Sequence, residues 1–100
     1  MTINYNLNVV TTTPYLVKPS DEVVFVNVPT SSSVVLPTIA CGKNTGYYIK
    51  DYSGNANKNP IIITATGGAT INGVGFAILN VNYSHIQVIW DGKNWQTLTN

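Results

Sequence analysis

The sequence predicts an all-β fold. Three observations carry that reading: apolar residues fill 44% of the 100 positions and fall in short β-branched runs, Gly, Pro, Asn, Ser and Thr separate the runs, and no stretch long enough for a helix shows helical spacing free of Gly or Pro. Turn signals recur at a spacing of about 8 to 12 residues, as in sandwiches, barrels and prisms, and about nine or ten short strands are expected.

The elements follow in chain order. Ile3, Tyr5, Leu7 and Val9 alternate with Asn4, Asn6 and Asn8, the pattern of a half-buried strand with one apolar and one amide face. Thr11-Thr12-Thr13-Pro14 ends it. Residues 1–14 are therefore read as an N-terminal strand, and residues 15–100 as a single β domain. A short strand over residues 15–17 runs into the turn Lys18-Pro19-Ser20-Asp21. Residues 22–28 form the best central strand of the first half, and Pro29-Thr30-Ser31-Ser32 breaks it. Val34-Val35-Leu36 stops at Pro37, which has no N–H to give a ladder. Residues 38–46 read as a loop, residues 47–50 as a strand and residues 51–60 as a long polar excursion. The β-branched density of residues 61–64 marks a buried strand. Gly67-Gly68 turns the chain, residues 70–71 are a short strand, and Asn72-Gly73 is a pair that accepts positive φ at both positions. Residues 76–81, 85–90 and 95–98 are the last strands, the final two joined by the loop Asp91-Gly92-Lys93-Asn94.

The polar inventory is small. Only 9% of the residues are charged: four carboxylates (Asp21, Glu22, Asp51, Asp91) and five lysines, with no arginine and one histidine, His85. A net charge of +1 makes no basic field, so neither nucleic acid nor a membrane is expected as a partner. Thirteen Asn and twelve Thr occupy positions where Lys and Glu are usual, a surface that stays solvated without charge repulsion and suits close packing of copies. Ten aromatics and dense Val and Ile exclude disorder. At this length one core is adequate but not generous, so association with identical copies is expected. The longest apolar runs fall far short of the roughly 20 residues that span a bilayer, which predicts a soluble protein. Residues 1–6 lack the basic and apolar regions of a secretory signal, Asn82-Tyr83-Ser84 is then a fortuitous sequon, and the single Cys41 can form no internal disulfide.

Few groups are placed for chemistry. Asp21 and Glu22 are adjacent, and consecutive strand residues point to opposite faces, so they are read as turn and strand-start residues rather than a catalytic pair. Asp51 and Asp91 each begin a turn, where a carboxylate satisfies nearby backbone N–H groups, a reading preferred to calcium ligation. His85 shares a face with Tyr83, Gln87 and Ile89, opposite Ile86, Val88 and Trp90. If the second set faces the core, His85 and Gln87 are candidates for a subunit interface, and a threefold axis could gather three imidazoles around a metal, although one His without Cys or acid at ligand spacing is weak evidence for it. No metal or other cofactor is expected. Cys41 is read as a loop thiol, and no Gly-rich phosphate loop is present. Tyr47, Tyr52, Trp90 and Trp95 are the candidate ligand or receptor-binding residues, because a pyranose face stacks on aromatic rings. Cross-strand packing across the 91–94 loop accounts for the Trp90–Trp95 pair without a ligand.

Several segments in order carry a resemblance: Tyr15-Leu16-Val17-Lys18-Pro19-Ser20-Asp21, Val24-Phe25-Val26-Asn27, Val34-Val35-Leu36-Pro37, Tyr48-Ile49-Lys50-Asp51-Tyr52-Ser53-Gly54-Asn55-Ala56, Asn59-Pro60-Ile61-Ile62-Ile63, Thr70-Ile71-Asn72-Gly73 and Val88-Ile89-Trp90-Asp91-Gly92-Lys93-Asn94-Trp95. Together, over roughly residues 15–98, they resemble the repeat-like β modules of bacteriophage tail fibres, tailspikes and capsid fibres. The resemblance implies a virion structural role and a homotrimer. Fibre and spike proteins are usually long, so a chain of this length is expected to be a small non-enzymatic capsid decoration or head-fibre protein on the virion exterior. It would dock on the major capsid protein or another virion protein, with Ile3, Tyr5, Leu7 and Val9 as candidate attachment residues. The alternative is a carbohydrate- or receptor-binding module of a tail fibre or tailspike, with a host-surface glycan as partner.

Overall fold

Short apolar runs in a chain of this length can bury their side chains only by stacking one sheet on another, and that is the arrangement observed. The computed structural model describes residues 5–39 and 45–98. Among them are nine strands and no helix: β1 (Leu7–Val10), β2 (Tyr15–Leu16), β3 (Val23–Val26), β4 (Ser32–Leu36), β5 (Thr45–Asp51), β6 (Ile61–Ala65), β7 (Phe76–Leu79), β8 (His85–Trp90) and β9 (Trp95–Leu98). Of the sandwich, barrel and prism alternatives, the chain forms a sandwich, with a five-stranded sheet in the order β1-β3-β5-β8-β9 and a four-stranded sheet in the order β2-β4-β6-β7. Ile3 and Cys41 lie outside the described residues.

The first six strands alternate between the two sheets. β1, β3 and β5 pair in parallel, as do β2, β4 and β6. Parallel neighbours need a long crossover connection, and here each crossover is itself a strand of the opposite sheet. The chain thus winds around its own core like a short coil. Three antiparallel strands close it: β7 beside β6, β8 beside β5, and β9 beside β8. Pro29 and Pro37 flank β4 without entering its ladder, and Asn72 (φ 52°) and Gly73 (φ 81°) both take the left-handed backbone their turn requires.

The core follows from alternation along each strand. Val24 and Val26, Tyr47 and Ile49, Ile86 and Val88, and Trp95 point inward from the five-stranded sheet. Val34, Leu36, Ile61, Ile63 and Leu79 meet them from the other. Trp95, fully buried, lies with its ring centroid 5.8 Å from Tyr47 and 5.3 Å from Trp90, its partner across the β8–β9 hairpin. Such rings add about 0.5–1.5 kcal/mol per pair beyond area burial.

Three expectations are corrected. Residues 70–71 form no strand; Ile71 makes only isolated bridges to Val74 and Trp95. β7 ends at Leu79, short of residue 81. The apolar face of the N-terminal strand is not the buried one: Tyr5, Leu7 and Val9 are exposed, whereas Asn8 and Val10 turn inward. The inversion has a cause, because Asn8 Nδ2 donates 2.7 Å to Asp21 Oδ1 and 3.1 Å to the Tyr15 hydroxyl, and that network holds the amide side down.

Two substitutions test the face assignment. Val88→Lys places an ammonium on the inner face, and an unfolded or aggregated chain is expected. His85→Ala, one strand face away, is expected to leave a folded protein, and equal circular-dichroism melts for the two would contradict the packing. Ser32 is buried and its Oγ has no hydrogen-bond partner among the described residues. Ser32→Ala is therefore expected to raise urea-unfolding stability by up to about 1 kcal/mol, since an unsatisfied buried hydroxyl is removed.

Candidate functional site

The four carboxylates serve the scaffold. Asp51, 1% exposed at the end of β5, accepts from Ser53 Oγ (3.1 Å) and Gly54 N (3.2 Å) on one oxygen and from Ala56 N (2.9 Å) and Tyr83 N (3.0 Å) on the other. Burial by itself raises its pKa. The bonds from Tyr83, Ala56, Ser53 and Gly54 outweigh that and hold it below the ordinary carboxylate value. Asp21 accepts from Asn8, from the Tyr15 hydroxyl at 2.6 Å and from Lys18 N at 2.9 Å. Burial, then the bond to Asp21 and its charge, push the Tyr15 phenol up to about 12. Glu22 Oε1 takes Asn6 N at 3.0 Å, fixing β1 against the start of β3. Asp91 caps the β8–β9 loop through Asn94 N and Lys93 N, both at 2.9 Å, and these bonds with Gln96 lower its pKa. The readings of Asp51 and Asp91 as local caps match this geometry, and Asp51 reaches further, to a second loop. No three of His, Cys, Asp or Glu come together among the described residues to hold a metal.

The four candidate aromatics do not form one platform. Tyr47 and Trp95 are fully buried, so neither offers a ring face to a ligand. Burial likewise raises the pKa of Tyr47, whose hydroxyl sits 3.4 Å from Pro19 O. Tyr52 lies outside, stacked on Phe25 with centroids 5.3 Å apart. Trp90 is half-buried and lines a cleft at another part of the sandwich. Aromatic residue type alone could not separate these locations, because alternation sends Tyr47 and Tyr48 to opposite faces.

What the structure does bring together is the outer face of the five-stranded sheet. Pairing sets Leu7, Val23, Tyr48, Gln87 and Leu98 in one row across it, and Val9, Phe25, Lys50 and His85 in the next. Tyr5 joins Val23, Phe25, Tyr48, Lys50 and His85 around a shallow hollow of about 240 Å³. The candidate attachment residues Tyr5, Leu7 and Val9 and the candidate interface residues His85 and Gln87 thus share one surface. Leu7 is 49% exposed, Val9 48%, Tyr48 41% and Leu98 59%. Sequence reasoning missed Val23, Phe25 and Tyr48 as members of this surface. A signal for the first two is the unbroken apolar run Val23-Val24-Phe25-Val26, which makes both faces of the strand apolar. The outer face of the four-stranded sheet is apolar as well, with Leu16, Ile62, Phe76 and Ile78 exposed on it.

No protein-family model matches the chain, and no curated protein matches it in sequence.

The Asp51 network sets a pH dependence. Its folded pKa is depressed, so its contribution is complete above the unfolded carboxylate value of about 4 and is lost as pH falls through the folded value. Urea midpoints are expected to fall steeply below about pH 4 in the native protein and less steeply in Asp51→Asn. Asp51→Ala, which leaves buried N–H groups unpaired, is expected to cost about 3 kcal/mol at pH 7.

Proposed function

We propose that this protein is a non-enzymatic structural component of a bacteriophage virion, a homotrimeric capsid decoration or head-fibre protein on the particle exterior. The observation that carries the reading is the apolar outer face of the five-stranded sheet. Contiguous exposed apolar surface of this kind marks interaction sites in soluble domains, and burying it contributes about 25 cal/mol per Å². Copies of this chain suit it as the occupant. With a net charge of +1 spread over 100 residues, they approach one another without appreciable repulsion.

Three is the number implied by the resemblance to phage fibre modules, and the exposed apolar face supports self-association. The second apolar face, around Leu16, Ile62, Phe76 and Ile78, leaves a separate surface for a capsid or other virion protein. A decoration protein needs those two functions and no others: self-association and docking. The commitment of all four carboxylates to scaffold hydrogen bonds supports a role without acid–base chemistry.

Light scattering on a size-exclusion column, over a dilution series, tests the proposal. A stable species at three times the 10.8 kDa chain mass is expected. Phe25→Lys, in the middle of the outer face, is expected to give a folded monomer with an unchanged circular-dichroism spectrum. A monomer of the native chain at all concentrations, or absence of the protein from purified particles, would overturn the reading.

A further inference from the structure

Trp90 leaves the core side of β8 at its last residue, where the 91–94 loop, the turn after β6 and the segment after β4 surround a cleft of about 260 Å³. That volume lies below the usual range for drug-sized ligands and suits one six-membered ring. The cleft is chemically mixed. Trp90 supplies an aromatic wall, and it is held rigidly: its ring meets the buried Trp95 edge-on, with centroids 5.3 Å apart and planes at 60°.

The polar groups around it are oriented in advance. Thr66 Oγ1 donates to Leu36 O at 3.1 Å and therefore accepts from Thr38 Oγ1, 3.0 Å away, which leaves the Thr38 hydroxyl oxygen as an acceptor. Asn94 Oδ1 accepts from Thr70 N at 2.9 Å, which fixes the carboxamide and leaves it the Nδ2 donor as well as a second lone pair on Oδ1. A sugar hydroxyl both donates and accepts, and an acceptor and a donor fixed around one aromatic wall match it. Gly68 opens the approach, since a Cβ there would meet nothing within 4 Å. Lys93 brings a cation to the lining, and among the described residues no carboxylate lines it. The Asp91 carboxylate, held by the backbone N–H groups of Lys93 and Asn94 and by Gln96, lies outside the lining, although its charge interacts with the Lys93 ammonium.

We infer that this cleft is a binding site for a single pyranose bearing a carboxylate, a sugar of the uronic-acid class, with Trp90 stacking the ring, Thr38 and Asn94 addressing its hydroxyls and Lys93 its charge. The site is built within one chain and does not depend on the assembly proposed above.

Glucuronic acid and glucose, titrated separately into the native chain, test it. The readouts are tryptophan fluorescence and saturation-transfer NMR. Trp95 is sealed in the core, so a fluorescence change reports Trp90. Glucuronic acid is expected to bind with a Kd on the order of 1 mM, and glucose about tenfold more weakly. Lys93→Ala is expected to bring glucuronic acid down to the level of glucose, and Thr38→Val to weaken both. Both variants sit at the surface and keep the Trp90–Trp95 contact, so their folding is checked by unchanged melting curves. No response to either sugar, equal affinity for the two in the native chain, or undiminished glucuronic acid binding in Lys93→Ala would overturn the inference.

Discussion

The buried carboxylate of Asp51 is the constraint on which the closing half of the molecule depends. β5 sits at the centre of the five-stranded sheet, parallel to β3 on one side and antiparallel to β8 on the other. At its end the chain must leave the sheet, make a long polar excursion and return to the other sheet as β6. Asp51 gathers the first part of that excursion through Ser53, Gly54 and Ala56, and reaches across to Tyr83, just before β8. The Asp51 N–H meanwhile donates to Ser84 O. Two loops far apart in sequence are thereby tied to one strand end. Tyr83 takes a left-handed backbone (φ 61°) at this junction, and a side chain at Gly54 (φ 75°) would run into the Tyr83 ring. A neutral residue at position 51 could not accept from four donors, two on each oxygen, with comparable strength.

Using the acids in this way shapes the exterior. Asp21 performs a similar task at the opposite end of β3, binding β1, β2 and the turn that follows β2 to one another. Carboxylates engaged in the scaffold are not available to break up the outer sheet faces, which are left to aliphatic and aromatic side chains, amides and hydroxyls. Monomeric domains usually place charge on exposed strands to prevent edge and face association. Here Lys50 is one of few such residues on the large sheet's outer surface. The winding of the chain and its low charge therefore lead to the same result, a thin sandwich apolar on the outside as well as within.

Much of this was legible in the sequence, because period-two alternation and turn residues are local signals. The hairpin around residues 91–94, the positive-φ pair Asn72-Gly73 and the facing of β8 could all be read from neighbours in the chain. The parallel winding could not. Nothing in a run such as Ile61-Ile62-Ile63 states whether its partner is the preceding strand or the one before that. The N-terminal strand misled for a related reason: alternation shows that Tyr5, Leu7 and Val9 share a face, but which face turns inward was decided by Asp21, more than ten positions away. The aromatic residues failed as a group because Tyr47 and Trp95 are drawn into the core by the same apolar character that suggested a binding platform. Trp90 kept a partly open position because it stands at the last position of its strand, where the sheet no longer covers it.

The alternation of the first six strands between two sheets also bears on the order in which the chain acquires its shape. β8 and β9 are joined by a short loop and can meet after closing little chain, whereas β1 and β3, or β2 and β4, come together only once an intervening strand has crossed to the other side. Closing longer segments is entropically slower. The β8–β9 hairpin and the antiparallel β6–β7 pair are thus the natural nucleus, onto which the earlier windings are laid in turn. β1 and β2, each an outermost strand with a single neighbour, are the last to be secured and the first to fray, so their amides should exchange hydrogen soonest in the native state.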